Sequence, residues 1–451
     1  MSDLPSEPVD GAPAADRARR PDLDDEQARA VLRSENDLEP VELIRMSGTV
    51  LRMGKAMLST GHGSYRVKAA MAQVARSLGI DRHEAHVTLT EITATSHRGP
   101  IFRTEVAEVR TIGVNADRLQ ALSDLANGMH AGVTVDEVNR DLDRIESKAP
   151  LYVPVINAAS AGVACGAFAF LNNGGWVEIV GATLGAGLGQ YSRRWLLHRK
   201  VNQFGATVVA AAVACLAYLA FVLALDAVVV GVASRHEAGF ISSVLFLVPG
   251  FPLVTGALDL AKADFSAGVA RVTYGMTILT SAALSVWAVT LATGLEADPI
   301  PRPDLSWWLM TVLRLVASFL GVLGFALMFN SPVRMAMWAA SIGMVANVLR
   351  LALADGGLAI QAATMVATLV VAVLAAVVGP RTGIPRTALS VPAVVIMVPG
   401  VAAYRAVASF NNGQVEAALA AGSQAAFVVI CIAMGLAAGR ILTDRSWGFE
   451  R

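Results

Sequence analysis

Arg314 stands about two turns into an apolar run over residues 307–329, a depth at which a guanidinium must face a protein interior, find a counter-charge or bind an anion. Asn157 lies in the first apolar run, near the position that an internal match places opposite Arg314. Asn330 closes the run that holds Arg314. Two other runs are interrupted at Pro249-Gly250 and Pro399-Gly400. Proline removes a helical N–H there, clashes with the preceding turn and frees carbonyls that need a partner or a wet cavity. Thr255, Asp259 and Tyr404 fall within three turns of these breaks. Together these residues outline a candidate substrate site. The competing reading makes the breaks plain kinks, and the Thr, Asn and Tyr residues helix-packing or interfacial groups. Asp226, Asp259 and Glu416 are candidate proton carriers; Asp226, Asp355 and Glu416 sit near run ends and would act only if drawn into a cavity.

The first third of the chain holds a different set. His62, His83, His86, His97 and Glu91 are metal-ligand or general-base types, but no HExxH, GxSxG or P-loop spacing frames them. No enzyme activity, cofactor or metal is expected. Gly61, Ser64, Tyr65 and Arg66, in Gly61-His62-Gly63-Ser64-Tyr65-Arg66, are the best local candidates for contacting a ligand or the membrane part. Cys165, Cys215 and Cys431 lie in apolar runs without CxxC spacing, which argues for packing rather than disulfides or zinc. Lys+Arg and Asp+Glu balance at 36 each, so no basic excess points to nucleic acid.

The elements that must position these residues follow from where the charge falls. Of 451 residues, 55% are hydrophobic and 16% charged, and mean hydropathy is +0.54. Residues 1–150 hold 43 of the 72 charged side chains, so one third reads as soluble and two thirds as membrane-embedded. Residues 1–40, with 11 acids against 5 bases, read as a disordered acidic tail without a secretory signal. Over 41–150 the pattern is a small α+β domain: a helix ending at Gly61-His62-Gly63, a second over 65–78, strands over 86–95 and 104–112 turning near Arg98-Gly99-Pro100, and helices over 116–129 and 135–147.

A bilayer-spanning helix needs roughly 20 mostly apolar residues. The remainder offers ten such runs: 152–171, 176–190, 206–230, 240–260, 272–291, 307–329, 333–351, 358–378, 387–409 and 415–441, the second short and Gly-rich. With a cytosolic N-terminus, twelve Lys and Arg fall on the inside, among them Arg193, Arg194, Lys200 and Arg271. Four fall outside: Arg235, Arg302, Arg350 and Arg405. The longest outside loop carries Glu296, Asp298 and Asp304. This asymmetry places both termini, including the tail over 442–451, in the cytosol.

Self-comparison suggests a duplication of five runs, 151–294 and 295–441. Gly166-Ala-Phe-Ala-Phe-Leu-Asn172 matches Gly324-Phe-Ala-Leu-Met-Phe-Asn330 at a separation of 158, with Gly185 opposite Gly343; Val248-Pro249-Gly250 recurs as Val398-Pro399-Gly400. Five is odd, so the copies would be inverted, the architecture of alternating-access transporters. The expected fold class is thus a mainly α membrane protein: ten transmembrane helices as two inverted five-helix repeats, preceded by a small cytosolic α+β domain.

Gly61-His-Gly-Ser-Tyr-Arg-Val-Lys-Ala-Ala-Met71 with Val74-Ala75 and Leu78-Gly79 resembles the N-terminal signature of the threonine/serine exporter family. His86-Val-Thr-Leu-Thr90 and Met397-Val-Pro-Gly-Val-Ala-Ala-Tyr-Arg405 resemble further motifs of that family, so the likeness runs over 41–441. The signature often reads Gly-Gly-Ser or Ser-Gly-Thr where this chain has Gly61-His62-Gly63-Ser64. The resemblance implies a bacterial inner-membrane secondary exporter of L-threonine and L-serine driven by the proton motive force, with lipid, substrate and protons as partners. A homo-oligomer is compatible with the sequence. The substrate carboxylate would then meet Arg314 or the helix N-terminus after Pro249-Gly250, and the ammonium would meet carbonyls freed at a break. Related two-polypeptide members imply a dicarboxylate such as succinate as the alternative substrate. A membrane-anchored hydrolase is disfavoured by the surplus of spans and the missing catalytic motif.

Overall fold

The computed structural model describes residues 39–110, 112–229, 231, 236, 239–294, 304–444 and 447. Nearly all of the acidic tail over 1–40 lies outside the described residues, as do Arg235, Glu296, Asp298, Arg302, Arg445 and Arg451.

The first domain comprises α1 (Glu39–Ser59), α2 (Ser64–Ser77), β1 (Arg82–Val87), β2 (Glu91–Arg98), β3 (Ile101–Glu108), α3 (Ala116–Asn127) and α4 (Val135–Ser147). Its helices form because apolar residues recur near the helical period, and the stripe they make is buried. Val50, Met53 and Met57 of α1 pack with Val67, Met71 and Val74 of α2, with Val87 and Ile92 of the sheet, and with Val138 and Leu142 of α4. The strand expected over 86–95 is split in two, so the antiparallel sheet has three strands in the order β1-β2-β3. Thr88 makes the reversal: its hydroxyl accepts the N–H of Glu91 at 3.1 Å, and Val87 faces Ile92. Leu89 keeps the apolar alternation running through this turn, so periodicity alone does not reveal it. The β2–β3 reversal falls at Gly99-Pro100, with Arg98 opposite Ile101.

The rest is helical: α5 (Pro154–Leu171), α6 (Trp176–His198), α7 (Gln203–Asp226), α8 (Phe240–Ser243), a 3-10 turn (Leu245–Leu247), α9 (Gly250–Ala261), α10 (Phe265–Thr293), α11 (Trp307–Met328), α12 (Val333–Asp355), α13 (Ile360–Thr382), α14 (Arg386–Val395), α15 (Gly400–Asn411) and α16 (Val415–Thr443). Among the described residues, seven helices (α5, α7, α10, α11, α12, α13 and α16) are long and apolar enough to cross a membrane. Two bent pairs, Phe240–Leu247 with Gly250–Ala261 and Arg386–Val395 with Gly400–Asn411, bring the count to nine if each is one span. The run expected over 176–190 is instead a 23-residue helix, α6, which carries Glu178, Arg193 and Arg194 and is not among the seven. Its glycines let neighbours approach closely. A Cβ on Gly185 would lie 2.6 Å from the Ala214 carbonyl oxygen of α7, and α5 in turn presses Gly162 onto the Thr183 carbonyl of α6 at the same distance.

Both bent pairs break in the same way. Pro249 (φ −79°, ψ 58°) and Pro399 (φ −81°, ψ 58°) each sit in an inverse γ-turn, closed by Gly250 N–H to Val248 O at 2.8 Å and by Gly400 N–H to Val398 O at 2.9 Å. The helices bend by 54° and 47° there. From these prolines onward α9 and α15 have 12 residues each and α10 and α16 have 29 each, all 150 positions apart. In the earlier helices the register is 157. The left-handed residues are Asn173 (φ 71°) and Asn330 (φ 61°), and α6 and α12 have 23 residues each, whereas sequence matching aligned Asn172 with Asn330. One helical turn of Gly, Ala and Phe matches almost equally well when slipped by one, so backbone geometry is the finer gauge.

Candidate functional site

The two parts meet through main-chain and charged contacts. The C-terminal turn of α11 and the N-terminus of α3 satisfy one another: Ala116 N–H donates to Phe329 O at 2.9 Å, and Asn330 Nδ2 donates to Asn115 Oδ1 at 2.9 Å while its Oδ1 accepts Leu151 N–H at 2.8 Å. Asn330 therefore ties the domains together and lies outside the cavity described below.

The Gly61–Arg66 segment forms the second junction. Gly61 takes φ +99°, a left-handed conformation open to glycine, and its Cβ position is blocked by Phe251. The following turn places Ser64 at the start of α2. Ser64 N–H donates to Asp259 Oδ1 at 3.0 Å, and its hydroxyl donates to Asp264 Oδ2, which also receives Lys68 Nζ at 2.7 Å. Arg271 donates to His62 O at 2.7 Å and lies beside Asp259, Nε to Oδ2 3.0 Å, at an angle that makes an ion contact rather than a hydrogen bond. Asp259 is 0% exposed and Arg271 3%. Tyr65 accepts from Arg440 and from Arg66 Nε, and its ring meets Trp447 edge-on at 5.6 Å. Burial raises the Tyr65 hydroxyl, but the Arg440 and Arg66 guanidiniums outweigh it and hold the pKa below its ordinary value.

His62 is buried among Thr60, Ser123 and the Met57 carbonyl, with Nδ1 3.0 Å from Met57 O and Nε2 3.1 Å from Ser123 Oγ. Burial pushes its pKa down to about 3, so it folds neutral. Because the folded value is depressed, the unfolded chain binds the extra proton. Stability is whole above about pH 6.5 and falls as pH drops from there toward 3. Acidification from pH 7 to 5 should thus cost about 2 kcal/mol through this residue. Thermal unfolding at both pH values should show His62→Gln losing that part of the pH dependence; equal slopes for the two proteins would refute the assignment.

Between these junctions lies a cavity of about 640 Å³, walled by the first domain, α6, the first break and the start of α10. Pro249 and Gly250 stand at its edge, where α9 begins, and Thr255 lines it one turn on, its hydroxyl bonded back to Phe251 O at 2.9 Å. Among the described lining residues, Arg110, Arg193, Lys200 and Arg271 are cationic and none is acidic. Gln190 Oε1 and Arg193 Nε are buried and find no hydrogen-bond partner. Gln190 Nε2 donates to Asn157 Oδ1 at 2.8 Å, and Asn157 Nδ2 donates to Met328 O at 2.8 Å, so Asn157 sits just behind the wall. A cationic lining of this kind has the electrostatics to attract anions.

Other residues singled out from the sequence lie elsewhere. Arg314 does not line the chamber; it pairs with Asp355 at the end of α12, Nη1 to Oδ2 2.5 Å, because an intramembrane guanidinium takes the nearest carboxylate. Gly400 and Tyr404 line a separate space of about 20 Å³ beside the second break, and Pro399 makes that break's turn. Asp226 ends α7 half-buried, and Glu416 is exposed in the first turn of α16. Of the first-domain motif, Gly61 lines the chamber, Ser64 and Tyr65 hold the junction beneath it, and Arg66 donates to Tyr65. In the sequence Arg193 and Arg271 have only the look of loop charges and Gln190 has no mark of a site; the spacing Gln190-x-x-Arg193, repeated as Asn347-x-x-Arg350, is the signal that points to them.

Residues 48–293 match the family model described as "Putative threonine/serine exporter", and residues 314–442 match "Threonine/Serine exporter, ThrE". The chain is 24% identical over 435 residues to a "Probable threonine/serine exporter" of Mycobacterium tuberculosis, covering 91% of this chain and 79% of that one. It is 26% identical over 218 residues to the "Probable succinate transporter subunit YjjP" of Klebsiella aerogenes, 48% of this chain and 81% of that protein. The Escherichia coli K12 protein of the same name is 26% identical over 226 residues, 49% of this chain and 84% of that one. No solved structure matches. With matched segments running through both the first domain and the helical region, the chain belongs to the threonine/serine exporter family, a family of membrane transporters and not of enzymes.

Proposed function

We propose that the protein exports L-threonine and L-serine across a bacterial inner membrane against proton entry, with the 640 Å³ chamber as its cytosol-facing substrate site. The observation that carries this reading is the chamber's wall at the first break, where the start of α9, Thr255, Gln190, Arg193 and Arg271 converge. The carboxylate would be held by Arg193 of α6 and Arg271 of α10, with the N-terminal end of α9 presenting its free N–H groups to the same chamber. A zwitterion suits the Asp259–Arg271 pair: Arg271 lines the chamber and Asp259 lies enclosed behind it, so a carboxylate drawn to Arg271 would release Asp259 to take the ammonium or a proton. Ammonium and proton then compete for Asp259, which yields antiport; Asp226 and Glu416, distant from the chamber, are weaker carriers.

Alternating access needs two related halves, and the contacts between them are reciprocal. Gly250 packs on Val395 and Val398, and Gly400 on their counterparts Leu245 and Val248. Gly321 meets Ala167, and Gly324 meets Ala164, each pair exchanging equivalents 157 apart. Phe168 and Phe325, equivalent to one another, touch edge-on at 5.7 Å. Reciprocal contacts, with one residue meeting its own equivalent, are the mark of a two-fold axis. Counting α6 and each bent pair as spans gives five per half. An odd number turns the second half over, so the axis lies in the membrane plane and the repeats are inverted. The loop charges favour cytosolic termini.

A second substrate reading has its own support: four cations without an acid in the lining, together with relatives named for succinate, favour a dicarboxylate. Proteoliposomes separate the two. Loaded with labelled threonine, they should show saturable efflux that a protonophore abolishes, and Arg193→Gln should raise the half-saturation concentration at least about tenfold, the loss of one charge-assisted bond. Movement of succinate but not threonine would transfer the assignment to dicarboxylates, and protonophore-insensitive efflux would remove the proton from it.

A further inference from the structure

The two-fold relation that brings the glycines and phenylalanines together also maps α6 onto α12. Gln190 then corresponds to Asn347 and Arg193 to Arg350, again 157 apart. Each half thus carries an amide followed three residues later by arginine, which places both on one helix face. The two copies are in different states. In the first, Gln190 and Arg193 line an open chamber and each keeps a buried polar atom without a partner. In the second, the groups close on one another: Arg350 Nε donates to Asn347 Oδ1 at 3.0 Å, and Asn347 Nδ2 donates to Ser318 Oγ of α11 at 2.8 Å. Asn347 and Ser318 are both 0% exposed, and neither Asn347 nor Arg350 touches the chamber. Farther along α12, Asp355 pairs with Arg314 and ties the end of α12 to α11.

Keeping a guanidinium within an apolar helix is costly unless it serves. In a pair of symmetry-related halves that exchange conformations, the feature open in one half is closed in the other, and the next state reverses them. We propose that Asn347 and Arg350 form a second carboxylate-binding site, closed in this structure, that holds the substrate on the side opposite the first domain before release. This rests on the exporter reading above and adds to it an exit site for the same chemical class. Opening it requires the Arg350–Asn347 bond to break and the Arg314–Asp355 pair between α11 and α12 to part; the bond from Asn347 to Ser318 of α11 can stay, since in the open copy Gln190 bonds Asn157 of α5 in the same way. The counterpart chamber then offers the Arg350 guanidinium and the Asn347 amide to a carboxylate.

The test uses the full chain in membrane vesicles of both orientations, measuring half-saturation for L-threonine and for succinate in exchange at each face separately. Arg350→Gln should raise the value for the transported acid at the far face at least about tenfold and leave the face bearing the first domain within about twofold; Arg193→Gln should do the reverse. Threonine amide, which lacks the carboxylate, should be indifferent to Arg350→Gln. Asn347→Asp, which sets a carboxylate against the incoming one, should give the same one-sided loss even if Arg350→Gln fails to fold. Equal effects on both faces, no effect, or equal sensitivity of the amide would overturn the exit site alone. Failure of the wild type to exchange either acid would overturn the exporter reading and this site with it.

Discussion

Arg271→Ala is expected to destabilise the protein by about 3–5 kcal/mol, the cost of leaving a buried carboxylate without its counter-charge, and to abolish transport. The carboxylate in question is Asp259, fully enclosed, which accepts Ser64 N–H and lies against Arg271. The same substitution removes the donor to His62 O, so the Gly61–Arg66 turn loses its hold on α10. Stability and function separate in a double variant. Asp259→Asn with Arg271→Gln discards both charges, and an uncharged pair should recover most of the lost stability. Transport should stay absent, since Arg193 alone then remains at that wall of the chamber to hold a carboxylate. Melting of the purified proteins, set beside threonine exchange, reads both effects. Recovery of transport in the double variant would show that the pair is purely structural.

How much of this was legible in the residues depends on the range of the interaction. Helix positions were clear, because 3.6-residue periodicity and long apolar runs are local; α4 ends where its pattern ends, at Ser147. The breaks were also visible, because proline acts on its own turn. The strand reversal at Thr88 was hidden, since a hydroxyl capping a turn leaves the alternation intact. The site was harder. Arg314 drew attention by depth alone, yet depth does not say whether a carboxylate is near, and Asp355 is 41 residues away in sequence. Arg271 and Arg193 looked like ordinary cytosolic loop charges until α10 and α6 extended through them. The role of the Ser64–Tyr65–Arg66 motif is hidden in the sequence, because its partners Asp259 in α9, Asp264 just before α10 and Arg440 in α16 lie some two to four hundred residues on.

Gly324→Val should be the most damaging substitution at the contact between the halves, and Gly321→Ala, one turn earlier, should be mild. Both glycines face α5, but they meet different neighbours. A Cβ at 324 would stand 2.5 Å from the Ser160 carbonyl oxygen and 2.9 Å from the backbone nitrogen of Ala164. Neither can move unless α5 moves as a whole. At 321 the nearest atom is the tip of Ile396, at 2.6 Å, which can rotate away, and Ala167 is 3.5 Å off. Forcing valine into the first position should cost about 3 kcal/mol, the upper part of the overpacking range, while alanine in the second should cost about 1 kcal/mol or less. If α5 and α11 also slide past one another during transport, Gly324→Val should slow exchange further than the stability loss explains, and Gly321→Ala should leave it near wild type. Matched losses for the two variants would mean that this contact is not the close-packed seam between the halves, and the two-fold relation would lose its principal support.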